Sequence, residues 1–285
     1  MMNYKLKKNY ALVQVDCDFE WNDKEVSLKL LRQLKDIFDE NKIKATWFVV
    51  GHDLGISRYK DFCSELIKNG HEIGNHSMSH KRNFHLLSYQ EKTKEIVQCH
   101  KMIEKLGYNP VGFRTPYFAW DISVMHILND LKYRYDSSVF PCPIYPLINS
   151  MKNALNRNLF DRNQLYRNHC IYNPIIRYMN SCVAEIPISV SLKLKLPLHA
   201  SYSLTLPYII AQKYTYSQFS KYMKNNSPLV YVIHLNDICP PQYLNSREFK
   251  FFIPYQERIK FIKWACYKIA QDFETIPTGD YVKLF

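Results

Sequence analysis

The first half of the chain alternates short, mostly apolar runs with longer segments that are apolar on one face only. Short apolar runs are typical of buried strands, and apolar residues three or four positions apart are typical of amphipathic helices. The pattern predicts strands over residues 10–15, 45–50, 71–75 and 111–113, and helices over 26–41, 59–69, 88–106 and 121–131. Strands that alternate with helices predict an α/β fold with a parallel sheet, open or closed into a barrel.

The pattern breaks between Phe140 and Ser181. This segment holds four prolines and many asparagines and arginines, and it has no clean period. Long loops in compact enzymes are usually lids or binding loops, so we interpret the segment as an insertion over one face. Beyond it the pattern predicts strands over 185–190 and 229–234 and a helix over 254–273. We therefore expect residues 1–285 to form one domain with an insertion at about 140–183.

Composition is that of a globular protein. Hydrophobic residues make up 47% of the 285 residues, and no stretch approaches the ~20 apolar residues that span a bilayer. Met1 to Lys8 is basic but is followed by no apolar segment, so no signal peptide is expected. None of the eight cysteines forms a C-x-x-C pair, which excludes zinc-knuckle and thioredoxin-type sites and favours buried, reduced thiols. A cytoplasmic location is therefore expected.

The formal net charge of the chain is +12. Such a charge either aids solubility or indicates an anionic partner, which can be a phosphorylated substrate, a membrane surface or a nucleic acid. The basic residues are spread along the chain without a dominant block, and this spread argues against nucleic acid.

Candidate chemistry begins at the end of the first predicted strand, with Asp16 and Asp18. Two carboxylates at i and i+2 of an extended chain lie on one face and repel each other, so a cation should compensate them. A divalent metal is the simple candidate. On this evidence alone, an ordinary pair of turn or capping aspartates is the favoured interpretation.

The second candidate is the H-x-x-x-H pattern of His76 and His80. If the segment is helical, the two imidazoles lie one turn apart and can reach a single ion. Two unrelated surface histidines are the alternative, because the chain has ten histidines in all. Combined with Asp16 and Asp18, the pair makes a His-His-Asp ligand set that leaves room for water, as in catalytic metal sites.

Two more polar residues follow predicted strands. Arg114 is placed to hold a carboxylate through two hydrogen bonds, with an ordinary turn arginine as the alternative. His234 ends the apolar strand 229–234, at the level where parallel α/β folds place their chemistry. That position suits acid–base work, and a satisfied core histidine is the alternative.

These four segments, in this order, resemble the polysaccharide deacetylase family, the NodB-homology or carbohydrate esterase family four group. The similar segments are Asp16–Asp18, the more specific His71–His80, Arg114–Tyr117 and Val232–His234, and the stretch 45–51 is similar to the family's second strand. The resemblance covers about residues 10–131 well, and the part from 185 to the C-terminus loosely. It implies a distorted (β/α) barrel of about seven strands, here with a long inserted loop region.

The resemblance also implies a metal site and a base. Asp18, His76 and His80 would hold a divalent metal, which is zinc in most of the family. A metal in such a site polarises the acyl carbonyl and the attacking water. Asp16 would be the general base that takes the proton from this water.

The remaining roles implied by the resemblance concern the leaving group and the oxyanion. His234 would protonate the leaving sugar amine, and Arg114 would orient the base. A backbone N–H near Tyr117, in the Pro116-Tyr117 turn, would help to stabilise the tetrahedral oxyanion.

One family feature is not evident in this chain. The usual fourth motif, an Asp and Trp pair that tunes the acid histidine, has no clear counterpart. Asp136 and Glu185 are candidates for part of that role, and neither is a tight match. Val232 stands where the family usually has leucine, which is a conservative change.

The predicted function is a metal-dependent hydrolase that removes an N-acetyl or N-formyl group from an amino sugar. A non-catalytic carbohydrate-binding relative of the same fold is the alternative. A cytoplasmic enzyme would meet a lipid- or nucleotide-linked glycan precursor more readily than mature polymer. Lys193, Lys195 and Lys213, set among apolar residues, would suit peripheral contact with the inner membrane face, although solvated lysines beside an ordinary core are the simpler interpretation. Nucleic acid is not an expected partner.

Overall fold

The structure is a computed structural model, and it describes residues 8–19, 23–143, 182–244 and 251–285, together with the backbone of 176–177. The strands in these residues are β1 Tyr10–Cys17, β2 Ala45–Val49, β3 Glu72–Asn75, β4 Gly112–Phe113, β5 Tyr135–Asp136, β6 Ile176–Arg177, β7 Ala184–Glu185, β8 Leu229–His234 and β9 Glu274–Thr275. The α-helices are α1 Lys24–Glu40, α2 Ser57–Lys68, α3 Tyr89–Glu104, α4 Ile122–Asp130, α5 Ala200–Ser203, α6 Tyr208–Lys224, α7 Tyr255–Asp272 and α8 Thr278–Val282.

The strands form one sheet in the order β6-β7-β5-β4-β3-β2-β1-β8, and β9 pairs with the start of β1. Seven consecutive strands, from β7 to β8, are parallel, and β6 is antiparallel to β7. Beyond β7, the N–H of Ser189 donates to the carbonyl of Val230 in β8 at 3.3 Å. The sheet therefore curls into a distorted (β/α) barrel, and the predicted fold class is confirmed.

Local sequence signals explain where the first helices begin. The Asp23 carboxylate accepts hydrogen bonds from the N–H groups of Glu25 and Val26 at the start of α1. At the start of α3, Ser88 and Glu91 form a capping box, in which each side chain bonds to the other's backbone. Both arrangements satisfy N–H groups that have no partner within a helix.

The interior of the barrel mixes apolar and polar side chains. Leu12, Phe48 and Val230 form an apolar cluster there with the C-terminal helix α8. Next to them, the buried Glu72 carboxylate accepts hydrogen bonds from the N–H of Gly279 at 2.7 Å and the hydroxyl of Tyr135 at 2.9 Å. Helix α8 is thereby joined to the strand that leads to His76.

The structure differs from the sequence pattern at two places. Residues 76–80 do not form a helix: β3 ends at Asn75, and the backbone then takes left-handed conformations at Ser77 (φ 66°) and His80 (φ 49°). The 17-residue helix α6 was not predicted at all. Its buried positions include Ala211, Thr215 and Tyr222, and such small and polar residues hide the apolar period.

The predicted insertion at 140–183 lies largely outside the described residues, which resume at Cys182. No helix in the described ranges is long and apolar enough to cross a bilayer. Seven cysteines fall in the described residues, and all of them are free thiols.

Candidate active site

The register of the sheet brings the predicted site residues to one end of the barrel. Asp16 in β1 lies opposite His234 in the parallel pairing of β1 with β8. Arg114 follows β4, and its N–H donates to the carbonyl of Asn75, the residue before His76, at 3.0 Å. The carboxyl ends of parallel strands meet at the same edge, so the four separate segments converge there.

Asp16 and Arg114 form a buried ion pair. The Nη1 of Arg114 donates to Oδ1 of Asp16 at 2.6 Å, and the Arg114 side chain is fully buried. Nε of Arg114 donates to the Ser137 carbonyl at 2.8 Å, and Nη2 donates to Oε1 of Gln14. The guanidinium also lies 4.4 Å above the ring of Phe48. These contacts fix the guanidinium. Arg114 is therefore the cation that compensates the buried negative charge of Asp16.

The electrostatics of Asp16 follow from this setting. Burial raises the pKa of its carboxyl, but the charge and the hydrogen bond of Arg114, together with the nearby imidazoles of His76 and His234, outweigh burial and bring the pKa down to about 2. Asp16 is therefore an ionised carboxylate at neutral pH.

His234 is held by groups that the sequence analysis missed. Its Nε2 lies 3.4 Å from Oδ2 of Asp16, and its Nδ1 lies 2.9 Å from Oγ of Ser201 in α5. The Asp237 carboxylate accepts the backbone N–H of His234 at 2.9 Å and also hydrogen-bonds to Ser201. When the His234 ring is protonated at both nitrogens, its Nδ1–H donates to the Ser201 oxygen, and Ser201 donates its own proton to Asp237, because a carboxylate only accepts.

The two acids proposed from the sequence as partners of His234 bond elsewhere. Asp136 and Glu185 lie opposite each other in β5 and β7, and their carboxyls hydrogen-bond to each other. Burial raises the pKa of Asp136 above its ordinary value. The carboxylate beside His234 is Asp237. An acid three residues after a histidine at a strand end was the signal that could have identified it.

The three predicted metal ligands lie near one another. Nδ1 of His76 donates to the Arg114 carbonyl at 2.9 Å, which leaves Nε2 with the lone pair. Burial lowers the pKa of His76 to about 3, so its ring is neutral. The rings of His76 and His80 are 4.8 Å apart, and Nε2 of His80 lies 3.8 Å from Oδ2 of Asp18.

These residues are of the types that bind a divalent metal, and one pair of them has a suitable spacing. Within the described ranges, no group of three or more His, Cys, Asp or Glu side chains is arranged closely enough to hold a metal ion. However, two N or O ligands at about 2.1 Å from a tetrahedral zinc lie about 3.4 Å from each other. The 3.8 Å between His80 and Asp18 is close to this spacing. A neutral imidazole with a free Nε2, a second imidazole and a carboxylate are the ligand types that zinc takes.

The Pro116-Tyr117 turn reaches the same place. Tyr117 and the following Phe118 have φ angles of 55° and 56°, which cost about 1 kcal/mol or more for each non-glycine residue. The Tyr117 ring lies 5.0 Å from the ring of His80. The structure thus brings together all eight predicted site residues, and the strained turn is positioned beside the candidate metal ligands.

Aromatic side chains surround His234 on its other sides. The ring of Phe118 is 6.1 Å away and that of His199 is 5.8 Å away, and Phe140 packs on His199 at 5.6 Å. His199 caps helix α5, so its ring is positioned by the same short helix that carries Ser201. No sequence period marks these residues.

The chain is similar in sequence to known deacetylases. The family model for polysaccharide deacetylase matches residues 22–135. A peptidoglycan deacetylase of Helicobacter pylori is 22% identical over 253 residues, which are 85% of this chain and 82% of that protein. A protein of Arthroderma benhamiae assigned as a peptidoglycan-N-acetylglucosamine deacetylase is 33% identical over 104 residues, 35% of this chain; the chain thus spans only 24% of that relative.

The fold also has solved counterparts. The crystal structure of a Mycobacterium smegmatis protein assigned as a polysaccharide deacetylase superposes with a TM-score of 0.64 at 14% identity, covering 99% of this chain and 92% of that one. At such identity the likeness concerns the fold alone. The chain is therefore similar to polysaccharide deacetylases: the family model matches residues 22–135, and the peptidoglycan deacetylase of Helicobacter pylori aligns with 85% of the chain.

Proposed function

We propose that the chain is a metal-dependent hydrolase that removes an N-acetyl or N-formyl group from an amino sugar, acting on a linear amide C–N bond. The observation that carries this proposal is the pairing of Asp16 and His234 across β1 and β8, beside His76, His80 and Asp18. Amide hydrolysis needs an acceptor for the proton of water, a stabilised oxyanion and a proton for the leaving amine. This set of residues can meet each need.

In this proposal Asp18, His76 and His80 hold the ion, which is zinc by the preference of the family. When bound, the ion supplies Lewis-acid polarisation of the acyl carbonyl and of the attacking water. The hydrogen bond from His76 to the Arg114 carbonyl supports this assignment, because it orients Nε2 as the ligating atom.

Asp16 is the proposed general base. Arg114 occupies its Oδ1, so Oδ2, the oxygen on the His234 side, is left to accept the proton of the attacking water. A pKa of about 2 keeps Asp16 deprotonated throughout the neutral range. Arg114 acts through Asp16 and is a positioning residue.

His234 is the proposed general acid. Its Nδ1–H is held by Ser201, whose hydroxyl bonds in turn to the Asp237 carboxylate. This chain of hydrogen bonds orients the imidazole ring and leaves Nε2–H to protonate the departing amine. The oxyanion of the tetrahedral intermediate would lie at the strained turn of Pro116 and Tyr117, where a backbone N–H can donate to it.

The proposed substrate is a lipid- or nucleotide-linked amino sugar. We propose that the chain acts on such a glycan precursor in the cytoplasm, and that it meets a lipid-linked one at the inner membrane face. The non-catalytic carbohydrate-binding alternative remains a prediction, and the convergence of eight candidate site residues favours catalysis over it.

Metal analysis together with an Asp16→Asn variant tests the proposal. We expect the variant to retain its metal and to lose release of amine from a soluble N-acetylglucosamine oligosaccharide or its N-formyl counterpart. Asp36→Asn, at an exposed position of α1, is the matched control and should retain full activity. If Asp16→Asn emptied the site, the division between base and ligand would be wrong. A zinc-loaded wild type with no turnover on any acylated amino sugar would favour the binding protein.

A further inference from the structure

One segment of the chain has an unusual charge. From Ile186 to Asn236 there are five lysines and no aspartate or glutamate, although the whole chain carries 26 acidic residues. A long stretch with charges of a single sign is a feature that a general need for solubility does not explain, since solubility needs no such segregation.

The same segment exposes large aliphatic side chains. Leu194 is 71% exposed, and Ile209 and Ile210, in the first turn of α6, are 64% and 53% exposed. Lys193 and Lys213 are exposed beside them along the chain. Exposed aliphatic side chains are normal when they are scattered, but a group of them flanked by lysines indicates an interaction surface.

The contacts of the fold place these residues on one side of the molecule. Leu194 is at the tip of a turn closed by the hydrogen bond from Ser191 N–H to the Leu196 carbonyl at 2.8 Å. The hydroxyl of Tyr214 in α6 donates to the Pro197 carbonyl at 2.8 Å and ties this turn to the helix. Ile210 precedes Tyr214 by one helical turn and therefore lies on the same side of α6.

We call this surface the lysine–leucine face, and it consists of Lys193, Leu194, Lys195, Ile209, Ile210 and Lys213. The face adjoins the candidate active site. The Tyr214 ring packs on Tyr202 at 5.8 Å, and the neighbouring Ser201 hydroxyl contacts His234 at 2.9 Å. Whatever binds the face is therefore held close to the proposed general acid.

We propose that the lysine–leucine face docks on the surface of an anionic lipid bilayer. The aliphatic side chains enter the boundary between headgroups and acyl chains, and the lysines meet lipid phosphates. Nucleic acid would satisfy the lysines but would leave Leu194, Ile209 and Ile210 without an apolar partner. Docking on the bilayer does not require catalysis. Its benefit to the enzyme would be access to a lipid-linked amino sugar, and this part of the inference rests on the proposed function.

Vesicle sedimentation of the full chain tests the proposal. Wild type should bind vesicles that contain phosphatidylglycerol and should bind pure phosphatidylcholine vesicles weakly. The double variant Lys193→Glu/Lys195→Glu should weaken binding to the anionic vesicles on the order of thirtyfold or more, because each lysine near such a surface contributes about a fivefold gain. Leu194→Gln should also weaken binding without changing any charge.

The matched control is Lys101→Glu/Lys105→Glu, two exposed positions at the end of α3, which alters net charge equally and should retain binding. Equal losses in both double variants would overturn the proposal, as would binding that is unchanged in either face variant. Tight, salt-dependent binding of DNA or RNA that the face variants abolish would also overturn it. Turnover of a soluble N-acetylglucosamine oligosaccharide, measured in parallel, should be the same in all variants, so failure of docking and failure of catalysis are distinguishable.

Discussion

Nε2 of His234 lies 3.4 Å from Oδ2 of Asp16, although 217 residues separate the two along the chain. The distance is set by the sheet, because β1 and β8 pair in parallel with these two residues opposite each other. A proposed base and a proposed acid are thereby held on rigid strands and face the same space. Arg114 bonds to Oδ1 of Asp16, so Asp16 presents Oδ2 to this space. Ser201 contacts Nδ1 of His234, so His234 presents Nε2.

The first prediction concerns Arg114. Arg114→Met removes the cation that offsets the buried charge of Asp16, so we expect the free energy of unfolding to fall by about 3–5 kcal/mol. Misplacement of Asp16 should lower kcat on the order of a hundredfold. Urea unfolding and steady-state kinetics measure the two effects. Arg32→Met, which loses an exposed ion pair, is the control and should change either quantity little. A fully stable, active Arg114→Met would contradict the positioning role.

The second prediction concerns Ser201. Ser201→Ala breaks the link between His234 and Asp237, so the imidazole ring is less well oriented. We expect kcat to fall about tenfold to a hundredfold, while KM and metal content stay unchanged. Ser201→Thr retains the hydroxyl and should recover most of the rate. The ¹⁵N chemical shifts of His234 should report loss of the Nδ1–H form in the alanine variant only. Equal damage by both substitutions would point to a packing role.

The third prediction is that stability depends on pH through His71. Nδ1 of this buried side chain accepts the N–H of Ala45 at 3.1 Å, and burial lowers the pKa of His71 from 6.5 to about 4. Between these two values the unfolded chain binds a proton that the folded chain does not. The contribution of His71 should therefore be complete above pH 6.5 and fall by about 2–3 kcal/mol as the pH drops towards 4.

Urea unfolding at pH 7 and pH 5 checks this third prediction. His71→Asn, which keeps a hydrogen-bond acceptor but does not titrate, should flatten the slope between the two values. His126→Asn, at an exposed position of α4, should leave the slope as in wild type. An identical slope in wild type and His71→Asn would show that His71 makes no such contribution.

The fourth prediction concerns Gly74 in β3. A Cβ at this position would lie 2.5 Å from the Phe48 ring, which supports the Arg114 guanidinium from below. Gly74→Ala should cost about 1–3 kcal/mol of stability, because either the ring or the strand must shift. Gly55→Ala, where a Cβ meets nothing within 4 Å, should be tolerated. A thermal melt of each variant makes the comparison, and equal melting temperatures would refute the steric argument.

The local pattern of apolar and polar residues predicted much of the fold. The predicted strands and helices of the first half reappear within a few residues, since β1 is buried along its length and α1 is apolar on one face. Helix starts were predictable because a cap such as Ser88 with Glu91 depends only on neighbouring residues. Parallel strands place their carboxyl ends together, so Asp16, His76, Arg114 and His234 could be assigned to one site before any distance was known.

Only the tertiary structure decided the contacts between distant segments and the backbone conformations that orient each side chain. The sequence by itself determined the strand and helix order and the residue types that can bind an ion and move protons. It did not determine that His76 and His80 face each other across a left-handed bend, or that Ser201 and Asp237 hold His234. Hydrophobic period is a local property, whereas these contacts depend on strand register, loop conformation and the packing of α5 against β8.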